Sequence, residues 1–247
     1  MYLFFCYICT PCSSYLCYYF VFPTKVHFFE LLVKLVKIIL VIKLRNTVLK
    51  YNASNVGGLM VEDSIRVFNY LHTKSNNSLD VKELEQILPI KSENSRNRIF
   101  QEIRKRFYAL DTEIANYFVS ATREEQTIIL YFAILKTYKL LFDVVFEILI
   151  PKYIKGESSV TKMDILSLLD SKAEDQPHID NWSIRTRNNM ATIMLMYLKE
   201  SGLQKESKIS ALQASVHFWK LFANRENSWM FEAALLSNET KNQIKTD

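Results

Sequence analysis

Two basic stretches of this chain have the residue types and spacing of a nucleic-acid contact. In SRNRIFQEIRKRFYAL, the residues Arg96, Arg98, Arg104, Lys105 and Arg106 are interleaved with Ile99, Phe100, Ile103, Phe107 and Leu110, which recur at helical spacing. On such a helix Arg98 and Lys105 project opposite the apolar face, Arg104 and Arg106 flank it, and Arg96 falls in the first turn. Cations aligned on a helix can pair with phosphates and base edges. The plainer alternative is a surface helix whose arginines are solvated or paired with acids. The second stretch places Arg185 and Arg187 in the first turns of SIRTRNNMATIMLMYLKES, with Lys205 and Lys208 in the GLQKESKISAL that follows. That tail can form a small basic wing or a plain loop.

Catalytic chemistry finds little support. There is no Gly-rich phosphate loop, nucleophile elbow or zinc-binding His/Glu helix, and His27, His72, His178 and His217 are isolated in sequence. His178 lies near Asp175 and Asp180, a weak metal grouping that reads more simply as a solvated loop. Asp143 and Glu147 share a helix face, but Lys139 stands one turn before Asp143, so an ion-pair ladder explains them better than acid–base catalysis. Cys6, Cys9, Cys12 and Cys17 resemble a metal run, yet they sit in an uncharged Tyr/Phe-rich tract with nothing to form an outer shell. The expectation is no catalytic residue, no metal and no cofactor. With no cysteine beyond residue 17, the remainder reads as a reduced, cytoplasmic protein.

The elements that must position these residues are helices. Four glycines and five prolines in 247 residues leave few breaks in the 3.6-residue periodicity, which predicts an all-α globular fold. Its axis is TREEQTIILYFAILKTYKLLFDVVFEILI, from Thr122 to Ile150, a run about 43 Å long at ~1.5 Å per residue. Thr122 and Glu125 form a capping box at its start and Pro151 is expected to stop it. Lys136, Lys139, Asp143 and Glu147 recur along one line, so a long buried helix with a single wet stripe is expected rather than a membrane span.

Around this axis, Ile65, Phe68 and Leu71 mark an inward helix face, and Asp80 with Glu83 caps the short helix DVKELEQIL, ended by Pro89. Ser92 or Asn94 can cap the basic helix after it. A short helix, a tight connection and a longer basic helix make one helix-turn-helix candidate. Thr161 with Asp164 caps a helix through Leu169, and together with the helix from Ser183 to Ser201 and the wing it makes a second, winged candidate. Gly156 and Gly202 suit helix ends, VHFWKLF and SWMFEAALL are expected to close the C-terminal core, and ETKNQIKTD reads as a fraying tail. The chain thus divides into residues 1–48, a helical part at 49–120, the central helix at 121–160 and a C-terminal part at 161–247.

Residues 1–48 differ in texture from the rest. They carry Lys25, Lys34, Lys37, Lys43 and Arg45 against Glu30, a net +4 of the chain's +5, so +1 remains for residues 49–247. The tract reads as a mis-assigned start, as a hydrophobic anchor held by the positive-inside rule, or as a soluble helix.

Taken together, YNASNVGGLM, EIRKRF, REEQTIILYFAILKTYKLLFDVVFEIL, RTRNNMATIMLMYLKESGL and SWMFEAALL resemble the BrxA family of bacteriophage exclusion (BREX) defence systems, over roughly Tyr51 to Ile244. The resemblance implies an all-helical, non-enzymatic accessory protein with helix-turn-helix units that binds double-stranded DNA. It also implies partners among other BREX components such as a methyltransferase or an ATPase, and a monomeric state with no small-molecule substrate. An RNA-binding, antitermination-like role and a protein–protein adaptor docking through an exposed aromatic C-terminal segment are its alternatives.

Overall fold

In the computed structural model, Tyr51 and residues 57–73, 81–174 and 177–246 are described. The expectations for residues 1–48, for Asp80 and for Asp175 fall outside them.

The central apolar run is the axis of the fold. Helix α5 (Arg123–Thr137) starts at the expected capping box: Thr122 Oγ1 accepts from the Glu125 amide at 3.3 Å and Glu125 Oε2 accepts from the Thr122 amide at 3.0 Å. Every residue from Ile128 to Leu135 is buried. A helix that is apolar all round is stable only when other elements cover it on every side.

The axis is not one uninterrupted helix. At Tyr138 the backbone swings to φ −119°, ψ 107°, and the chain resumes as α6 (Lys139–Asp143), a π-helical turn (Val144–Leu149) and α7 (Ile150–Ile154). The Thr137 hydroxyl donates back to the Ala133 carbonyl at 2.7 Å, a bond that competes with the helical ladder at the break. Nor does Pro151 end the helix: it sits in α7 directly after the wider π turn, and the helical backbone runs on through it.

These changes of phase scatter the expected wet stripe. Lys136 turns to Asp111 at 3.1 Å and Glu147 to Lys172 at 2.7 Å. Lys139 and Asp143 instead go inside, 5% and 0% exposed, and pair at 2.5 Å. The Tyr51 hydroxyl donates to the same Asp143 carboxylate, and the Lys139 ammonium lies 5.3 Å above the Tyr51 ring. The edge expected to be solvated is therefore covered by the chain that precedes the first helix.

Against α5 pack α1 (Val61–Thr73), α3 (Glu93–Phe107) and α4 (Thr112–Ser120), and α2 (Val81–Ile87) packs on α1 and α3. Phe68 of α1 joins three of these helices, meeting Phe107 edge-on at 5.1 Å and Phe118 at 4.8 Å. Elsewhere the axis meets the C-terminal aromatics, with Trp229 stacked on Phe132 at 5.3 Å and Phe222 edge-on to Phe132 at 4.9 Å.

Helices α8 (Lys162–Lys172) and α9 (Ile184–Glu200) pack together and lead into a hairpin of β1 (Gln204–Lys205) and β2 (Lys208–Ile209), followed by α10 (Val216–Lys220), α11 (Met230–Ala233) and α12 (Asn238–Thr246). The hairpin is the one sheet among the described residues, in an otherwise all-α fold. The tail expected to fray is α12, which buries Ile244 and fastens Lys241 to Glu232 at 2.7 Å. Phe218, Trp219 and Phe222 are fully buried, so the aromatic segment expected as an exposed docking surface in the adaptor alternative is core. No helix among the described residues is long and apolar enough to cross a membrane.

Candidate nucleic-acid interface

The basic residues of α3 divide into two groups. Ser92 caps the helix, its Oγ accepting from the Ser95 amide at 3.4 Å, and the apolar face buries Phe100 and Ile103. Arg96 is only 4% exposed: its guanidinium donates to the Ile90 carbonyl at 2.7 and 3.1 Å and to Glu85 at 3.3 Å, tying the turn before α3. Arg106 is fully buried. It donates to the Gly58 and Leu59 carbonyls at 3.1 and 3.3 Å and to the Tyr197 hydroxyl at 3.3 Å, with Glu102 at 3.6 Å.

The Gly57–Leu59 segment crosses above Arg106, with Gly58 at φ +83° and the Leu59 amide donating to Glu200 of α9. A side chain on Gly58 would sit 2.9 Å from that carboxylate. Arg96 and Arg106, both expected at the nucleic-acid surface, are thus structural clamps, because the segments preceding α3 and α1 close over them.

Arg98 and Lys105 are exposed and Arg104 half-buried. Arg104 lies 5.9 Å over the Phe100 ring and Lys105 lies 4.9 Å over the Tyr138 ring. Together with Gln101, Tyr108, Ala109, Lys136 and Thr137, Arg104 and Lys105 line an open cleft of about 940 Å³. Lys136, Gln101 and Tyr108 have no place among the expected site residues. The sequence signal for Tyr108 is an aromatic directly following the basic run, whereas Lys136 is brought in only by the packing of α3 on α5.

The second basic stretch builds a compact unit. The Ser183 hydroxyl caps α9 by accepting from the Thr186 amide at 3.1 Å. Arg187, expected at the interface, is corrected to a clamp: it pairs with Asp170 at 2.5 Å and Asp180 at 3.2 Å and donates to the Ile179 carbonyl at 3.2 Å. These bonds fix the α8–α9 linker in place. Arg185 stays exposed beside Ile184, which is 81% exposed at the leading turn of α9. His178 is no solvated loop residue, since its Nε2 bonds the Tyr51 carbonyl at 2.8 Å.

The hairpin is pinned at its base, where the Val160 amide donates to Gln204 Oε1 at 2.8 Å and Gln204 Nε2 donates back to the Val160 carbonyl at 3.2 Å. Its register sets Lys205 directly opposite Lys208, both exposed. Like charges in that position repel. The loop between them is Glu206 and Ser207 at φ 44° and 64°, left-handed conformations that cost non-glycine residues about 1–3 kcal/mol each. With Glu206 counted the tip carries a net +1, and an anion set across the two lysines would offset their mutual repulsion.

The groups considered for acid–base work do not converge on a cleft, since Asp143 is bound to Lys139 inside the core and Glu147 faces Lys172. Among the described residues no three His, Cys, Asp or Glu side chains gather as a metal site.

A model of the BrxA family matches residues 49–218 of this chain, a span holding both basic helices and the hairpin. A BREX protein BrxA from Bacillus cereus (strain H3081.97) is 23% identical over 141 residues, which cover 56% of this chain and 70% of that relative.

Proposed function

We propose, because this chain belongs to the BrxA family, that it serves a bacterial BREX anti-phage system as a non-enzymatic cytoplasmic accessory that binds double-stranded DNA. The observation that carries the reading is the hairpin after α9, with Lys205 and Lys208 opposed at its exposed tip and no ion pair to either among the described residues. In a helix-turn-helix the second helix enters the major groove, and α9 is the second helix of its pair, with the hairpin beside it for phosphate contacts. The exposed first turn of α9 offers Arg185 to a guanine edge and Ile184 to a thymine methyl. Arg98, exposed on α3, offers a further cation. Because residues 49–247 carry a formal charge of only +1, the affinity is modest and salt-sensitive, and with so few side chains offered to base edges the sequence preference is weak. Other components of the same defence system are the expected protein partners.

The test is binding of the full chain to labelled duplex DNA by fluorescence anisotropy across a salt series. Removing both hairpin lysines (Lys205→Ala with Lys208→Ala) should lower the log–log salt slope by about 1.8, near 0.9 for each phosphate no longer neutralised. Between 50 and 200 mM salt that amounts to a roughly 12-fold smaller loss of affinity. An unchanged slope in a folded variant removes the hairpin from the interface, and tighter binding to RNA than to duplex DNA moves the function to RNA.

A further inference from the structure

The cleft between α3 and α5 is a separate site with a chemistry of its own. Its cationic lining is Arg104, Lys105 and Lys136, its polar lining is Gln101 and Thr137, and no carboxylate lines it. At about 940 Å³ it has the size of a small-ligand site. The cations are held in place before any ligand arrives. Lys136 is fixed by Asp111 at 3.1 Å, and Asp111 in turn accepts from Asn227 at 2.6 Å. Arg104 and Lys105 rest against the Phe100 and Tyr138 rings, so binding would cost them little side-chain entropy.

Tyr108 stands at the rim, 61% exposed, its ring braced edge-on by Phe107 at 5.6 Å. The C-terminal ends of α3 and α5 each bring about half a negative charge to this place and Asp111 adds a full one beside Lys136, which the three cations still outweigh. Cations tracking a backbone beside an aromatic platform are how proteins hold unpaired nucleotides, because every base has a face to stack.

We propose that this cleft holds one unstacked nucleotide of a single-stranded polynucleotide, its base on Tyr108 and its flanking phosphates on Arg104 and Lys105. The site is independent of the hairpin and of the duplex binding assigned to it.

The experiment measures anisotropy of labelled dT10 with the full chain and with Tyr108→Ala, Tyr108→Phe and the Lys205→Ala/Lys208→Ala variant. Tyr108→Ala should weaken dT10 binding about 5- to 150-fold, the range one base–aromatic stack contributes, while Tyr108→Phe keeps the wild-type affinity. The hairpin variant should bind dT10 as the wild type does, so that loss of duplex binding and loss of dT10 binding part company. An abasic decamer, with phosphates and no bases, should bind the wild type as weakly as dT10 binds Tyr108→Ala. The proposal is overturned if dT10 fails to bind, if Tyr108→Ala or the abasic strand binds like wild type with dT10, or if the hairpin variant loses dT10. Thymidine monophosphate binding as tightly as dT10 would overturn the polymer and make a free nucleotide the ligand.

Discussion

Arg98 and Arg106 stand eight residues apart on one helix, and removing either deletes the same single positive charge. The consequences should be opposite. Arg106 is fully buried, spans the Gly58 and Leu59 carbonyls and the Tyr197 hydroxyl, and faces Glu102 at 3.6 Å. Arg106→Met keeps the unbranched stem of the side chain but removes those bonds and leaves Glu102 without its cation. Removing one partner of a buried ion pair costs about 3–5 kcal/mol. With a urea dependence of about 2 kcal/mol/M, the midpoint should fall by roughly 1.5–2.5 M. Arg106→Lys should not restore it, because an ammonium cannot span three acceptors as the planar fork does. Arg98→Met alters an exposed residue and should stay within about 0.5 kcal/mol of wild type, a midpoint shift under roughly 0.3 M. Urea melts followed by circular dichroism, with duplex binding measured where each variant is fully folded, separate the two roles. If Arg106→Met melts like wild type yet binds duplex DNA more weakly than Arg98→Met, Arg106 lies on the nucleic-acid surface and its assignment as a clamp is wrong.

The buried Lys139–Asp143 pair should show strong coupling. Lys139→Met or Asp143→Leu alone should cost about 3–5 kcal/mol, whereas the double replacement should cost only about 1–3 kcal/mol, for the buried Tyr51 hydroxyl that loses the Asp143 acceptor, and additive losses would show that the pair is solvated. At the start of α8, burial alone would raise the Asp164 pKa, but the Thr161 amide and hydroxyl and the Lys152 ammonium outweigh it and hold the carboxyl below its ordinary value. A depressed folded-state pKa gives stability that is present above the unfolded value, about 3.9, and is lost as pH falls through the folded one. Asp164→Asn should therefore flatten the stability profile below about pH 4, and a profile with the wild-type slope in an acid series of urea melts would rule out this linkage.

What could be read from the chain alone is what a few neighbouring residues decide. The capping boxes at Thr122/Glu125 and Thr161/Asp164, the Ser92 cap and the positive φ of Gly156 and Gly202 depend on residues within one turn, and all are present. The apolar faces of the helices follow the same logic, because period fixes which side of a helix needs cover. The two helices at residues 162–200 were legible for the same reason, whereas local residues leave the hairpin after them open between a wing and a plain loop.

Tertiary packing decided the rest. Period places Arg106 beside an apolar face but cannot say that the Gly57–Leu59 segment will cross over it, and nothing local distinguishes Arg98 from Arg96 except what lies above each. The break at Tyr138 has no Gly or Pro to announce it, yet beyond it Lys139 and Asp143 lie in the core while Lys136 before it stays at the cleft. Local sequence fixes a helix about its own axis. Whether a charge on it meets water, another charge or a ligand depends on elements tens of residues away, and their approach is set by the burial of the whole core.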